Sequence, residues 1–229
     1  MRLYEPARHE RTRGANWSEA RACAAIEQVV AATHHAFSAE RLWPIHPFDR
    51  SPERPLSMKP LYFGAAGVIW AIDELGRRGA VEPGPDYSPT VRDLVKRHHD
   101  DLRANTELDN YMGRETASYL IGDVGMLMLQ WKMQRSDRIA DRIHAALQGK
   151  VGDARGLLWG AAGSMVAAVL MHERTSDPRW ASVFVMHFDA LWSRMRSDES
   201  GCWAWVDELY RREANRCRCL FSSVVARPA

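Results

Sequence analysis

Nine histidines and four cysteines are the side chains best suited to metal binding or nucleophilic chemistry in this 229-residue sequence, and their spacing favours neither. His34-His35 and His98-His99 are adjacent pairs. Neighbours on a helix point about 100° apart and seldom grip one ion, so both pairs read as solvated or half-buried residues of outer helices. Cys217 and Cys219 offer two ligands where a zinc site needs three or four. Cys23 and Cys202 stand apart from them. Asp73 and Glu74 raise a glycosidase-like carboxylate pair, whose members must stand about 5 to 9.5 Å apart across a sugar bond. They fall at the far end of their segment from Gly64 and Gly67, which weakens that reading. Asp123 stands between Gly122 and Gly125 at a helix start, where the macrodipole favours a carboxylate by about 0.3 to 1 kcal/mol. Its functional alternative is an acid at the mouth of the fold. His172 suits a helix C-terminus. No residue is assigned as catalytic, cofactor-binding or metal-ligating on these grounds.

The elements that must carry these residues are marked by glycine. Leu61-Tyr62-Phe63-Gly64-Ala65-Ala66-Gly67 is followed by Val68-Ile69-Trp70-Ala71-Ile72, and Tyr119-Leu120-Ile121-Gly122-Asp123-Val124-Gly125 by Met126-Leu127-Met128-Leu129. A third copy, Leu157-Leu158-Trp159-Gly160-Ala161-Ala162-Gly163, runs on into Ser164-Met165-Val166-Ala167-Ala168-Val169-Leu170. Each copy is apolar residues, Gly-x-x-Gly, then a run with almost no charge on any face. A helix that is apolar all round must be buried all round, so these are inner helices. The missing Cβ atoms of Gly64, Gly67, Gly122, Gly125, Gly160 and Gly163 let a neighbouring backbone or a ligand come close, and free N–H groups at such helix starts can hold an anion.

Between the copies lie amphipathic segments. Trp17 to Phe37 reads as a helix capped by Ser18, with Ile26, Val29, Val30, Thr33 and Phe37 on its apolar face. Prolines from Pro44 to Pro60 make the next stretch irregular, and Pro83, Pro85 and Pro89 fill a second loop. Val91, Leu94, Val95, His98 and Leu102 mark one helical stripe. Ile139, Ile143 and Leu147 mark another. Trp180, Val183, Phe184, His187, Phe188, Leu191 and Trp192 mark a third, within Arg179 to Met195. The inner helices are expected at Leu61 to Leu75, Thr116 to Gln134 and Leu157 to His172. The only candidate for a strand is Cys202 to Val206.

This alternation predicts an all-α fold, an α/α toroid with apolar helices inside a ring of amphipathic ones, incomplete here as an arc of three to four helical hairpins. Residues 1–210 are expected to form one domain. After Tyr210 the stripe and the phrases stop, so 211–229 reads as an irregular tail that has left the ancestral reading frame.

A net charge of +2 and scattered arginines give no basic face for nucleic acid. No inner run reaches the roughly 20 apolar residues of a membrane span, and Met1 to Trp17 has no signal-peptide core. Four dispersed cysteines fit a reducing cytoplasm better than a disulfide framework.

The phrases LYFGAAGVIWAIDEL, SYLIGDVGMLML and GLLWGAAGSMVAAVLM, in this order and between amphipathic helices, resemble the lanthionine synthetase C-like family from about Trp17 to Tyr210. The resemblance implies an α/α barrel, one zinc ion, and addition of a thiol to dehydroalanine or dehydrobutyrine in a peptide. Zinc would make the thiol a thiolate at neutral pH, and an acid or base would handle the enolate proton. The family's zinc ligands lie in Trp-Cys-x-Gly and Cys-His-Gly phrases, which this sequence lacks. Cys202 precedes Trp203, and Cys217-Arg218-Cys219 has no adjoining His or Gly. The family often has an acidic residue four positions before the first glycine of the third phrase, where this chain has Gly156, with Asp153 the nearest carboxylate. The resemblance therefore implies a truncated, catalytically impaired relative that binds no zinc itself. The alternative is a non-catalytic helical scaffold for a peptide or partner. If half the ring is missing, the uncovered inner face is expected to cause poor solubility or self-association.

Overall fold

The computed structural model describes residues 16–49, 57–105, 117–149, 156–158, 160–197, 201 and 203–205. The structure is all-α in character, with seven α-helices among the described residues: α1 Glu19–Ala36, α2 Ala65–Arg77, α3 Ser88–Ala104, α4 Asp123–Met133, α5 Asp137–Gln148, α6 Ala161–Thr175 and α7 Arg179–Trp192. A two-stranded antiparallel ribbon follows, β1 Met195–Ser197 against β2 Trp203–Trp205, with Met195 opposite Trp205. The helix expected to reach Met195 thus ends at Trp192, and the Trp205 indole N–H donates to the Leu191 carbonyl at 2.8 Å to hold the ribbon against that end.

Local chemistry accounts for most boundaries. Ser18 Oγ accepts from the Arg21 N–H at 3.4 Å, with Glu19 in the first turn, as the capping pattern predicts. Pro89 belongs to the first turn of α3 and not to the preceding loop, because its missing N–H costs nothing there. Ser176 closes α6 in the left-handed region, at φ 55°, and His172 Nδ1 lies 3.1 Å from the Asp177 carbonyl just beyond.

The three glycine-led helices begin later than the apolar pattern suggests. Gly64, Gly122 and Gly160 are the N-cap residues, so the apolar residues 61–63, 119–121 and 157–158 belong to turns that enter the helices. Helix α4 is the hub. It packs against α2, α3, α5 and α6. Met126 and Leu129 join Ile69, Ile72, Val91, Leu94, Val30 and Leu42 in one core. Val124, Leu127 and Trp131 join Ile139, Ile143, Leu147, Ala167, Ala168, Met171, Trp180 and Val183 in another. All-round burial, expected of every glycine-led helix, holds for α4 alone. Helix α2 exposes Trp70, and α6 exposes Val166 and Val169.

The amphipathic stripes follow the sequence closely. Val91, Leu94, His98 and Leu102 of α3 and Ile139, Ile143 and Leu147 of α5 are buried. On α1, Val30 is buried but Val29 is exposed, one position out of register. On α7, Trp180, Val183 and His187 are buried while Phe188 and Trp192 remain substantially open. Among the described residues no helix is long and apolar enough to cross a membrane. Residues 211–229 lie outside the described residues.

Candidate functional site

The helix starts of α2, α4 and α6 share one construction. A Cβ placed on Gly67, Gly125 or Gly163 would strike the carbonyl oxygen of Leu61, Tyr119 or Leu157, in each case the residue six positions earlier. The second glycine of each phrase is needed because the entering turn folds back over the helix's first turn and its backbone occupies the space of a side chain. The close neighbour anticipated for these glycines is therefore the chain itself. In the first copy the turn also uses the helix's free donors: the Ala65 N–H bonds to the Met58 carbonyl at 2.9 Å and the Ala66 N–H to the Lys59 carbonyl at 3.1 Å. Those two groups are not open to an anion.

Successive turns are tied together. The Tyr62 N–H donates to the Leu120 carbonyl at 2.8 Å, and the Ser118 hydroxyl donates to the Leu158 carbonyl. Met58, Leu120 and Leu158, one from each turn, pack around buried Leu102 and Ile121.

Helix α3 lays its polar residues against this end. The Lys59 ammonium is buried, donates to the Ser57 carbonyl at 2.9 Å and pairs with the Asp101 carboxylate. His98 is buried, and its Nε2 has no hydrogen-bond partner among the described residues. Burial first, then the adjacent His99 and the Lys59 charge, hold its pKa down at about 4. His99 is more open, and its Nε2 lies 2.7 and 2.9 Å from the two Asp123 carboxylate oxygens. An ionised carboxylate only accepts, so Nε2 carries the proton in this pair. Asp123 is the first residue of α4, and burial raises its pKa despite the opposing pull of His99 and of Arg142. The arrangement is a carboxylate-oriented imidazole at the rim, able to exchange a proton with a group placed at its open edge.

Asp123 sits at a helix start, as the sequence indicates. Its partner was not legible there, since His99 comes from another helix. His98 is fully buried, as its place on the α3 stripe indicates and unlike the solvated or half-buried reading of the adjacent pairs, which His35 and His99 fit. His34 is half-buried with Nδ1 2.6 Å from the Tyr87 hydroxyl. Asp73 and Glu74 are held by cations. Lys132 contacts both, at 2.5 and 3.2 Å, and Arg77 and Arg78 bond from the same helix. The Arg78 and Lys132 hydrogen bonds lower the Glu74 pKa to about 2, which suits a structural ion pair and not a proton donor.

Cys23 is exposed, and Cys202, Cys217, Cys219 and Asp153 lie outside the described residues. Among the described residues no three His, Cys, Asp or Glu side chains converge on a point. His99 and Asp123 supply two donors, already committed to each other, so the described residues do not fit a zinc ion that needs three or four. The chain matches no protein-family model and no curated protein.

Proposed function

We propose that this chain is a lanthionine synthetase C-like helical arc, built from the part of that toroid that shapes the peptide-facing wall. What supports the reading is the threefold recurrence of one device, in which the second glycine of each phrase receives the carbonyl of its own entering turn. The phrases that carry the resemblance are the ones that use it. The family's activity is zinc-dependent thiol addition to dehydroamino acids in peptides, giving thioethers. This sequence holds neither zinc-ligand phrase, so in our reading the chain itself is catalytically impaired and acts in the cytoplasm without metal. The second reading, a non-catalytic scaffold that binds a peptide or partner, draws on the exposed Tyr62, Phe63 and Leu157 of the entering turns.

Zinc analysis of the purified protein, paired with a thiol-addition assay on a dehydroalanine peptide, tests this. Substoichiometric zinc and no thioether product, with retained binding of the peptide, is the expected result. Stoichiometric zinc with turnover would restore the enzyme reading. Neither turnover nor peptide binding would leave only the partner scaffold.

A further inference from the structure

The two junctions between glycine-led helices are built to one pattern, and among the described residues its outer halves are left open at both ends of the row. At the first junction, Leu61 of the α2 turn presses on Gly125 of α4, with Leu61 Cβ and Cδ2 2.9 and 3.2 Å from where a glycine Cβ would stand. Trp70 and Asp73 face the same neighbour, under the Lys132 ammonium. At the second junction, Tyr119 of the α4 turn presses on Gly163 of α6, its Cβ 3.3 Å from the equivalent point. Met128 and Trp131 occupy the positions of Trp70 and Asp73, and pack in one core with Ala167, Ala168 and Met171.

The giving side of a junction is thus a knob from the turn and two residues, six and nine positions after the first glycine. In the third copy these are Leu157, Val166 and Val169, which are 50%, 37% and 40% exposed, whereas the two made junctions bury Trp131, half-bury Leu61, Asp73, Tyr119 and Met128, and leave only Trp70 open, at 46%. The receiving side is the second glycine with the residues one and four positions after it. Gly125, Met126 and Leu129 are buried, and so are Gly163, Ser164 and Ala167. Their counterparts in the first copy are Gly67 and Val68, half-buried, and Ala71, exposed. Gly67 meets only its own Leu61, with no knob from another turn among the described residues.

We propose that these two faces belong together, so that a second copy of this chain docks head to tail, Leu157, Val166 and Val169 of one copy seated on Gly67, Val68 and Ala71 of the next. The argument is continuity: the contact repeats a junction that the chain already makes twice. Such an interface is heterologous, and it grows until the rotation closes a ring. The proposal rests on the repeat geometry and not on the family reading, so zinc or thiol results leave it standing or falling by itself.

The test is molar mass by light scattering across a concentration series, with Val169→Glu blocking the giving side and Ala71→Glu the receiving side. Both positions are exposed, and circular dichroism checks that the fold is retained. The wild type is expected to form species larger than a monomer, and each variant alone to be monomeric. An equimolar mixture of the two is expected to form a dimer and nothing larger, since each variant keeps one good face. Leu157→Ser, a smaller change at the knob, is expected to weaken association at least tenfold. A monomeric wild type, variants that still associate, or a mixture that stays monomeric would each overturn the proposal.

Discussion

Replacing Gly125 by alanine tests whether the second glycine of a phrase is a packing requirement. In an ordinary helix interior the change stabilises, because alanine is the better helix former by about 0.8 to 1 kcal/mol. At Gly125 the new methyl would collide with the Tyr119 carbonyl oxygen and crowd Leu61 Cβ and Cδ2 at 2.9 and 3.2 Å. The Tyr119 obstacle is backbone and cannot rotate away, so the entering turn must move. Overpacking of this kind costs about 1 to 3 kcal/mol. Displacing the turn also strains the Tyr62-to-Leu120 backbone hydrogen bond, worth about 0.5 to 1.5 kcal/mol. Set against the propensity gain, the net is a destabilisation of about 1 to 3 kcal/mol. Gly76 is the matched control, since it lies inside α2 with nothing within 4 Å of a would-be Cβ. Gly76→Ala should stabilise by about 0.5 to 1 kcal/mol. Urea denaturation of the two variants beside wild type reads both numbers. If Gly125→Ala is as stable as Gly76→Ala, the carbonyl of the entering turn does not occupy that space, and the repeated device proposed for the three copies is wrong.

The fold class and the core of the outer helices were legible because they depend on period alone. The stripes of α3 and α5 put the same residues inside that the 3.6-residue spacing selects. The starts of α2, α4 and α6 were not, because an apolar turn and an apolar helix look alike in sequence. What separates them is the backbone conformation of Gly64, Gly122 and Gly160, extended at the N-cap, and not their composition. Exposure of Val166, Val169 and Ala71 was equally hidden, since a helix at the end of a row carries the same residues as one in its middle. Of the candidate site, Asp123 could be placed at a helix start by its flanking glycines. Its His99 partner could not, because pairing across helices depends on how α3 lies against α4.

Three further outcomes follow from the buried polar groups. His98 stays neutral in the folded chain down to about pH 4, while the unfolded imidazole protonates near its ordinary 6.5. Stability that depends on neutral His98 is therefore complete above pH 6.5 and is lost as the pH falls to 4, by about 3 kcal/mol in all. His98→Leu should flatten that acid limb in denaturation curves recorded between pH 4 and 7, and an unchanged slope would argue against a desolvated imidazole. Lys59→Met leaves Asp101 without its cation and should cost about 1.5 to 3 kcal/mol, with Asp101→Leu in the same chain recovering most of it in a double-mutant cycle. Burial holds the Asp123 carboxyl above its ordinary value of 3.8 against the pull of His99 and Arg142, so carboxyl NMR titration should place its midpoint above that value, and a midpoint below it would argue against a desolvated carboxylate.

The central claim is that the three glycine-led turns are consecutive members of one row, joined by the Tyr62 N–H to the Leu120 carbonyl and by the Ser118 hydroxyl to the Leu158 carbonyl. Amide hydrogen exchange at Tyr62 measures it most directly, because this residue has an exposed side chain in a turn, yet its N–H is bonded to the Leu120 carbonyl of the next copy. We expect the Tyr62 amide to exchange as slowly as the amides inside α4, and that protection to fall in Gly125→Ala. Exchange of Tyr62 at the rate of an open loop in the wild type would contradict the account.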